Sequence, residues 1–300
     1  MKFKMIATSA CRVSPTRQKH LKLLTRLQAQ RGATLIELMV GLTIGLLTIT
    51  VALGSLMVSR SISGTVSDTS QLQQQSAYVF RVIGQQLRQA GSLYLNLAPQ
   101  QTTGIATDIS ERVTLETKTS GFDPAQHTIS GMDAPGEGEY KLSMGYRNYT
   151  EQLYTSADAE SLQRNCLGQQ NSGALIQSNF VLEGTELRCA GSDAAQPVAE
   201  NVAAFEVRYL LQDITTSPGN PQIKYTDAAT VGTNWNRVQG VEVCLVLYGT
   251  ESIDMPAGSS YTDCDGSTQV DMTTLTGKRA KRLHMAFRNV YQLRSQGRPT

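Results

Sequence analysis

No aspartate or glutamate occurs before Glu37, although the same stretch carries eight basic side chains: Lys2, Lys4, Arg12, Arg17, Lys19, Lys22, Arg26 and Arg31. Histidine is scarce at three residues, tryptophan occurs once and cysteine five times. No G-x-S-x-G, P-loop, H-E-x-x-H or G-x-G-x-x-G pattern is present, so the common signatures of hydrolase, nucleotide and zinc chemistry are missing. Only His127 and His284 follow the basic segment, and the cysteines show no C-x-x-C spacing, which argues against a zinc centre. The formal charge is +2, but without the eight basic residues before Gly32 the remaining 19 basic and 25 acidic residues give −6. An acidic body speaks against nucleic acid as the main partner.

Charge is also missing from Leu38 to Val58, an uncharged and proline-free run of 21 residues between Glu37 and Arg60. As a helix it spans roughly 30 Å, the thickness of a bilayer core, and reads as one transmembrane segment. The basic residues ahead of it are expected to keep the N-terminus in the cytoplasm while the remainder crosses the membrane. A secretory signal is cut after its apolar region; here the small pair Gly32-Ala33 lies in front of it. Glu37 sits at the edge of the bilayer, where a carboxylate is costly without a partner. A cut after Gly32 creates such a partner, the α-amine of Ala33.

The stretch Arg31-Gly32-Ala33-Thr34-Leu35-Ile36-Glu37-Leu38-Met39-Val40 resembles the class III signal of type IV prepilins, with Ala33 where that family usually has phenylalanine or methionine. The resemblance implies cleavage between Gly32 and Ala33 by a prepilin peptidase, N-methylation of Ala33, and a role for Glu37 in subunit assembly by neutralising a neighbour's N-terminal amine. It also implies a softened helix near residues 59–68, a Ser/Thr/Gly-rich stretch. The plain alternative there is a juxtamembrane linker.

From Thr69 the helical period returns. Leu72, Ser76, Val79, Ile83, Leu87 and Ala90 make one face, and Gly91 is the expected stop. Beyond Asn96 the texture is β-branched runs punctuated by Gly, Pro, Asn and Asp. Strands are expected at Arg112–Lys118, Tyr140–Tyr146, Ala174–Glu183, Glu186–Cys189, Val202–Gln212, Gln222–Thr226, Gln239–Tyr248 and Arg282–Arg294, with a short helical segment at Ala228–Trp235. The fold class is α+β, a long N-terminal helix whose second half packs on a mainly antiparallel sheet. The division is 1–32 leader, 33–95 helix with 38–58 in the membrane, and 96–300 periplasmic β-rich head.

Cys11 belongs to the leader. Cys166, Cys189, Cys244 and Cys264 remain, an even count suited to two disulfides in an exported domain. Three pairings are open; Cys166–Cys189 and Cys244–Cys264 each close a short loop and are the expectation. Asp263-Cys264-Asp265-Gly266, followed by Asp271, has some likeness to a calcium loop but lacks its glutamate, and reads first as a disulfide-pinned turn. Tyr140, Tyr146, Tyr149 and Tyr154 are either an adhesive patch or ordinary strand residues. His284 alternates with apolar residues, the pattern of an ordinary strand position.

The helix from Ala77 to Gly91, ending Leu87-Arg88-Gln89-Ala90-Gly91, resembles PilW-type minor pilins. So do Val198–Tyr209, Trp235–Leu245 and Phe287-Arg288-Asn289. That resemblance implies a non-enzymatic protein without cofactor that joins other minor pilins and the major pilin to prime or cap type IV pilus assembly. Its further partners are the prepilin peptidase, the inner membrane and the assembly platform; twitching motility and adhesion follow downstream. Two other readings share these features: a type II secretion pseudopilin of the J type, and an uncleaved single-pass periplasmic binding module.

Overall fold

The computed structural model describes residues 32–92, 95–96, 114–115, 120–155, 157–170, 172–213 and 222–294. Residues 1–31, with Cys11, lie outside the described residues, as does most of the strand expected at Arg112–Lys118. The chain divides into a unit ending at Ser55 and a second unit from Leu56 onward.

Helix α1 runs unbroken from Leu35 to Gln89. Within the first unit its large apolar side chains are all exposed, including Leu38, Leu42, Leu46 and Leu53. It holds the one stretch among the described residues long and apolar enough to cross a membrane. Its threonines suit hydrocarbon, because each hydroxyl donates to the preceding turn: Thr43 to Val40 O, Thr48 to Gly45 O and Thr50 to Leu46 O.

Residues 59–68 are helical throughout, which corrects both expectations for that stretch. Glycine at 54 and 64 costs about 1 kcal/mol each against alanine, but tertiary contact overrides propensity. Asp68 is almost fully buried and accepts hydrogen bonds from the head, from Thr250 N (3.2 Å), Thr250 Oγ1 (3.1 Å) and Glu251 N (3.0 Å). Leu72, Ser76, Val79, Ile83, Leu87 and Ala90 are all buried, as their spacing requires. The helix ends at Gln89, and Gly91 takes a positive φ of 95°, a conformation that favours glycine.

The head is built from short antiparallel pairings. In chain order the strands are β1 Leu95–Asn96, β2 Thr114–Leu115, β3 Ile129–Ser130, β4 Leu142–Arg147, β5 Thr150–Gln152, β6 Ala159–Ser161, β7 Leu175–Glu183 and β8 Glu186–Ala190. They continue with β9 Gln196–Ala199, β10 Val202–Asp213, β11 Gln222–Thr226, β12 Val238–Tyr248, β13 Ser260–Thr262, β14 Gln269–Asp271 and β15 His284–Gln292. Short helices α2 Pro124–His127 and α3 Ala228–Val231 and a 3-10 turn at Trp235–Arg237 fill the connections. Two principal sheets form where the sequence reading had one. The first has the order β3-β4-β7-β8-β9 and the second β11-β10-β12-β15; β1-β2, β5-β6 and β13-β14 are two-stranded ribbons.

Both sheets and the second half of α1 share one core. Val79, Ile83 and Leu87 meet Ile129, Leu142 and Phe180 of the first sheet and Phe205, Val207, Val243 and Leu245 of the second. Strand β12 is buried on both faces. Val241, Val243, Leu245 and Leu247 belong to this core, while Cys244 and Val246 pack with Tyr261, Cys264 and Met272 in a smaller one.

Candidate functional site

At the start of α1, Gly32 and Ala33 precede the helix and are exposed, and Thr34 caps it. The Glu37 carboxylate accepts from Thr34 N and Thr34 Oγ1, both at 3.2 Å, while Glu37 N donates to Thr34 Oγ1 at 3.3 Å. This reciprocal arrangement is a capping box, which satisfies helix amides that have no partner of their own. The signal for it in the sequence is the T-x-x-E pattern of Thr34-Leu35-Ile36-Glu37, which gives Glu37 a local role beside its place at the bilayer edge. Its carboxylate thus has a local partner one residue from the scissile bond expected at Gly32-Ala33.

The head carries the cysteines. Cys166 is bonded to Cys189 with Cα atoms 6.5 Å apart, and Cys244 to Cys264 at 5.7 Å. The first bond ties the loop before β7 to β8. Beside it, Ser178 Oγ donates to Gln86 Oε1 of α1 (2.9 Å) and accepts from Cys166 N (3.0 Å), so helix, disulfide loop and sheet meet at one buried hydroxyl. The second bond fastens the β13-β14 ribbon over the outer face of β12.

The aspartates near Cys264 hold that ribbon's turns. Asp265 accepts from Ser267 N and Thr268 N, each at 2.8 Å, and from Thr268 Oγ1. The Thr268 hydroxyl, followed by these amides, holds its carboxyl below the usual range. Asp271 accepts from Thr273 N (2.8 Å) and Thr273 Oγ1 (2.6 Å), and is lowered by the same kind of contact. These carboxylates face their own turns. Among the described residues, no three His, Cys, Asp or Glu side chains gather as metal ligands.

The four tyrosines do not form a common surface. Tyr146 and Tyr149 are buried, Tyr140 is half-buried and Tyr154 is exposed. His284 is buried between two other tyrosines, with ring centroids 5.6 Å from Tyr248 and 5.3 Å from Tyr261. Arg279 Nε donates to His284 Nε2 at 3.1 Å. Guanidinium only donates, so Nε2 accepts and the proton sits on Nδ1, which donates to Arg282 O at 2.8 Å. Burial pushes the His284 pKa below its ordinary value, and the Arg279 charge pushes the same way.

The Gly32–Glu37 group and the disulfide-bonded head fall in different units. A long N-terminal helix, apolar in its first half, and a head of antiparallel sheets define an α+β protein. Residues 167–295 match the model of the family PilW, "Type IV Pilus-assembly protein W". The match covers less than half of the chain and lies wholly within the head. Among solved structures, a type IV-like pilin from Thermus thermophilus is similar at 13% identity and a TM-score of 0.37, over 74% of this chain and 96% of that one. That likeness is too slight to argue from. No curated protein sequence matches.

Proposed function

We propose that the chain is a minor pilin, a non-enzymatic subunit that joins other minor pilins to prime or cap a type IV pilus. The observation that carries this is a PilW-family head on the same chain as a 21-residue uncharged run headed by Gly32, Ala33 and Glu37. On this reading residues 1–32 are a cytoplasmic leader removed by prepilin peptidase. Residues 33–95 are the pilin helix, with 38–58 in the inner membrane, and residues 96–300 are the periplasmic head. Ala33 becomes the methylated N-terminus, and its amine is the group that Glu37 of an adjacent subunit pairs with during assembly. The other pilins and the assembly platform are its partners. Pilus appearance, with twitching and adhesion, depends on it.

The test is a deletion in the source organism, complemented with the wild-type chain, scored for surface pili and for type II secretion. Loss of pili with secretion intact is expected. Loss of secretion with pili intact would transfer the chain to the J-type pseudopilins. No change in either, together with an intact leader by mass spectrometry, would leave a plain anchored module.

A further inference from the structure

A cavity of about 370 Å³ opens in the head where the end of α1 meets β4 and the residues after β15. Arg81, Arg88 and Arg294 line it together with Gln85, Gln89, Gln163 and Tyr146, and among the described residues no carboxylate does. This concentration of positive charge stands out on a body whose balance after the basic segment is −6. Among the described residues Arg81 and Arg294 have no ion-pair partner, and the side-chain amides of Gln85 and Gln163 have no hydrogen-bond partner. Arg88 uses its Nε on Gly84 O, at 3.1 Å, which leaves its terminal nitrogens for other acceptors.

Tyr146 supplies a second, independent observation. The residue is 3% exposed, and its hydroxyl is closed off from solvent with no hydrogen-bond partner among the described residues. Leaving a buried hydroxyl unpaired costs the fold stability, so native proteins rarely do it without a use for the group. Burial raises the phenol's pKa, which keeps it a neutral donor. The side chains around it on α1, Arg81, Gln85 and Arg88, are exposed and long enough to swing aside for a ligand. Guanidinium forks match the paired oxygens of carboxylates and phosphates, and amide and phenol donors complete their shells.

We propose that this cavity binds an oxyanion, held by Arg81, Arg88 and Arg294 with the Tyr146 hydroxyl as its buried donor. A free phosphate and the carboxylate of a docking peptide present the same chemistry. The site is independent of the pilus assignment.

The test uses the full-length protein in neutral detergent micelles at low salt. Inorganic phosphate and a triglutamate peptide are titrated separately by calorimetry, with sodium chloride at matched ionic strength as control. Saturable binding of at least one probe is expected. Phosphate as the tighter probe identifies a free anion, and the peptide as the tighter probe identifies a docking chain. Tyr146→Phe should weaken binding about tenfold while the melting temperature stays at or above wild type, since no existing hydrogen bond is lost. Arg81→Gln, on an exposed helix position, should weaken it similarly, and Arg208→Gln, outside the cavity, should not. Absence of saturable binding by both probes at millimolar concentration would overturn the proposal. So would binding that is unchanged in both Tyr146→Phe and Arg81→Gln.

Discussion

Gly84 of α1 lies directly beneath the ring of Tyr291 on β15. A Cβ at position 84 would stand 2.4 Å from Tyr291 Cε1, and the Tyr291 hydroxyl donates to Phe80 O at 2.7 Å, one turn earlier. The ring is buried and cannot swing clear. Helix propensity favours alanine over glycine by about 1 kcal/mol, but overpacking a core costs about 1–3 kcal/mol. Gly84→Ala should therefore destabilise on balance, by up to about 2 kcal/mol. Tyr291→Phe, which keeps the ring but loses the bond to Phe80 O and the one accepted from Asn289 Nδ2 (3.2 Å), should cost about 1–2 kcal/mol. Thermal unfolding of the full-length protein in micelles, followed by near-ultraviolet circular dichroism, checks both. A Gly84→Ala protein as stable as wild type would mean that β15 yields more readily than the contact implies.

Asp68 offers a second test of how α1 is held. Its two oxygens accept three hydrogen bonds from residues 250 and 251, and a Cβ at Gly249 would meet Asp68 Oδ2 at 2.2 Å. Hydrogen bonds to a charged group are worth about 1.5–3 kcal/mol each, and they do not add fully. Asp68→Ala should cost about 3 kcal/mol and leave the amides of Thr250 and Glu251 unpaired. Hydrogen exchange at these two amides should accelerate more than exchange at the centre of β12. Unchanged protection would mean that the loop holds itself.

These two contacts mark the limit of what the sequence shows. The buried face of α1 could be read from Leu72 to Ala90 because a helix repeats its geometry locally. The long strands β7, β10 and β12 were legible for the same reason. Asp68 and Thr250 lie 182 residues apart, so no local pattern signals their meeting. Simple alternation also fails on β12. It expects the side chains opposite Val243 and Leu245 to face water, yet Cys244 and Val246 are covered because the Cys244–Cys264 bond draws the β13-β14 ribbon over them. The ribbons β5-β6 and β13-β14 have three-residue strands, too short to show a period. At the N-terminus the residues of the candidate site are legible, and the bond between Thr34 and Glu37 has a local signal in the T-x-x-E pattern.

His284 makes stability depend on pH. Its pKa is lowered in the folded state from an ordinary value of 6.5, first by burial. The unfolded chain therefore binds more protons below that pH. The stabilisation is fully present above about pH 6.5 and is lost as pH falls toward the folded pKa. Protonation at Nε2 would also break the bond from Arg279 and set two cations together. The carboxyls of Asp227, Asp265 and Asp271 are lowered from 3.8, so their contributions are lost only in more acid solution. Between about pH 6.5 and 4.5 the melting temperature should fall, and His284→Gln, which can still donate and accept, should flatten that slope. An equal slope in the variant would assign the effect to other groups.

Glu37 sets a local role against an assembly role, and two substitutions separate them. Glu37→Val removes both the charge and the capping box with Thr34. Glu37→Gln removes only the charge, since glutamine serves a capping box as glutamate does. Loss of a capping interaction costs about 0.5–2 kcal/mol at the helix start, while loss of the charge makes membrane insertion easier. If Glu37 acts mainly as a cap, Glu37→Gln should assemble pili at wild-type numbers and Glu37→Val should fall short. If it pairs with an N-terminal amine of a neighbouring subunit, both variants should lose pili while membrane level and cleavage after Gly32 persist. The second outcome is expected, because the amine created at Ala33 is a full charge at the edge of a hydrocarbon layer and an uncharged amide neutralises nothing. The measurement is a count of surface pili at matched expression in a strain lacking the chain, with leader removal followed by mass. Wild-type counts in Glu37→Gln would assign the carboxylate to the Thr34 cap and remove it from subunit assembly.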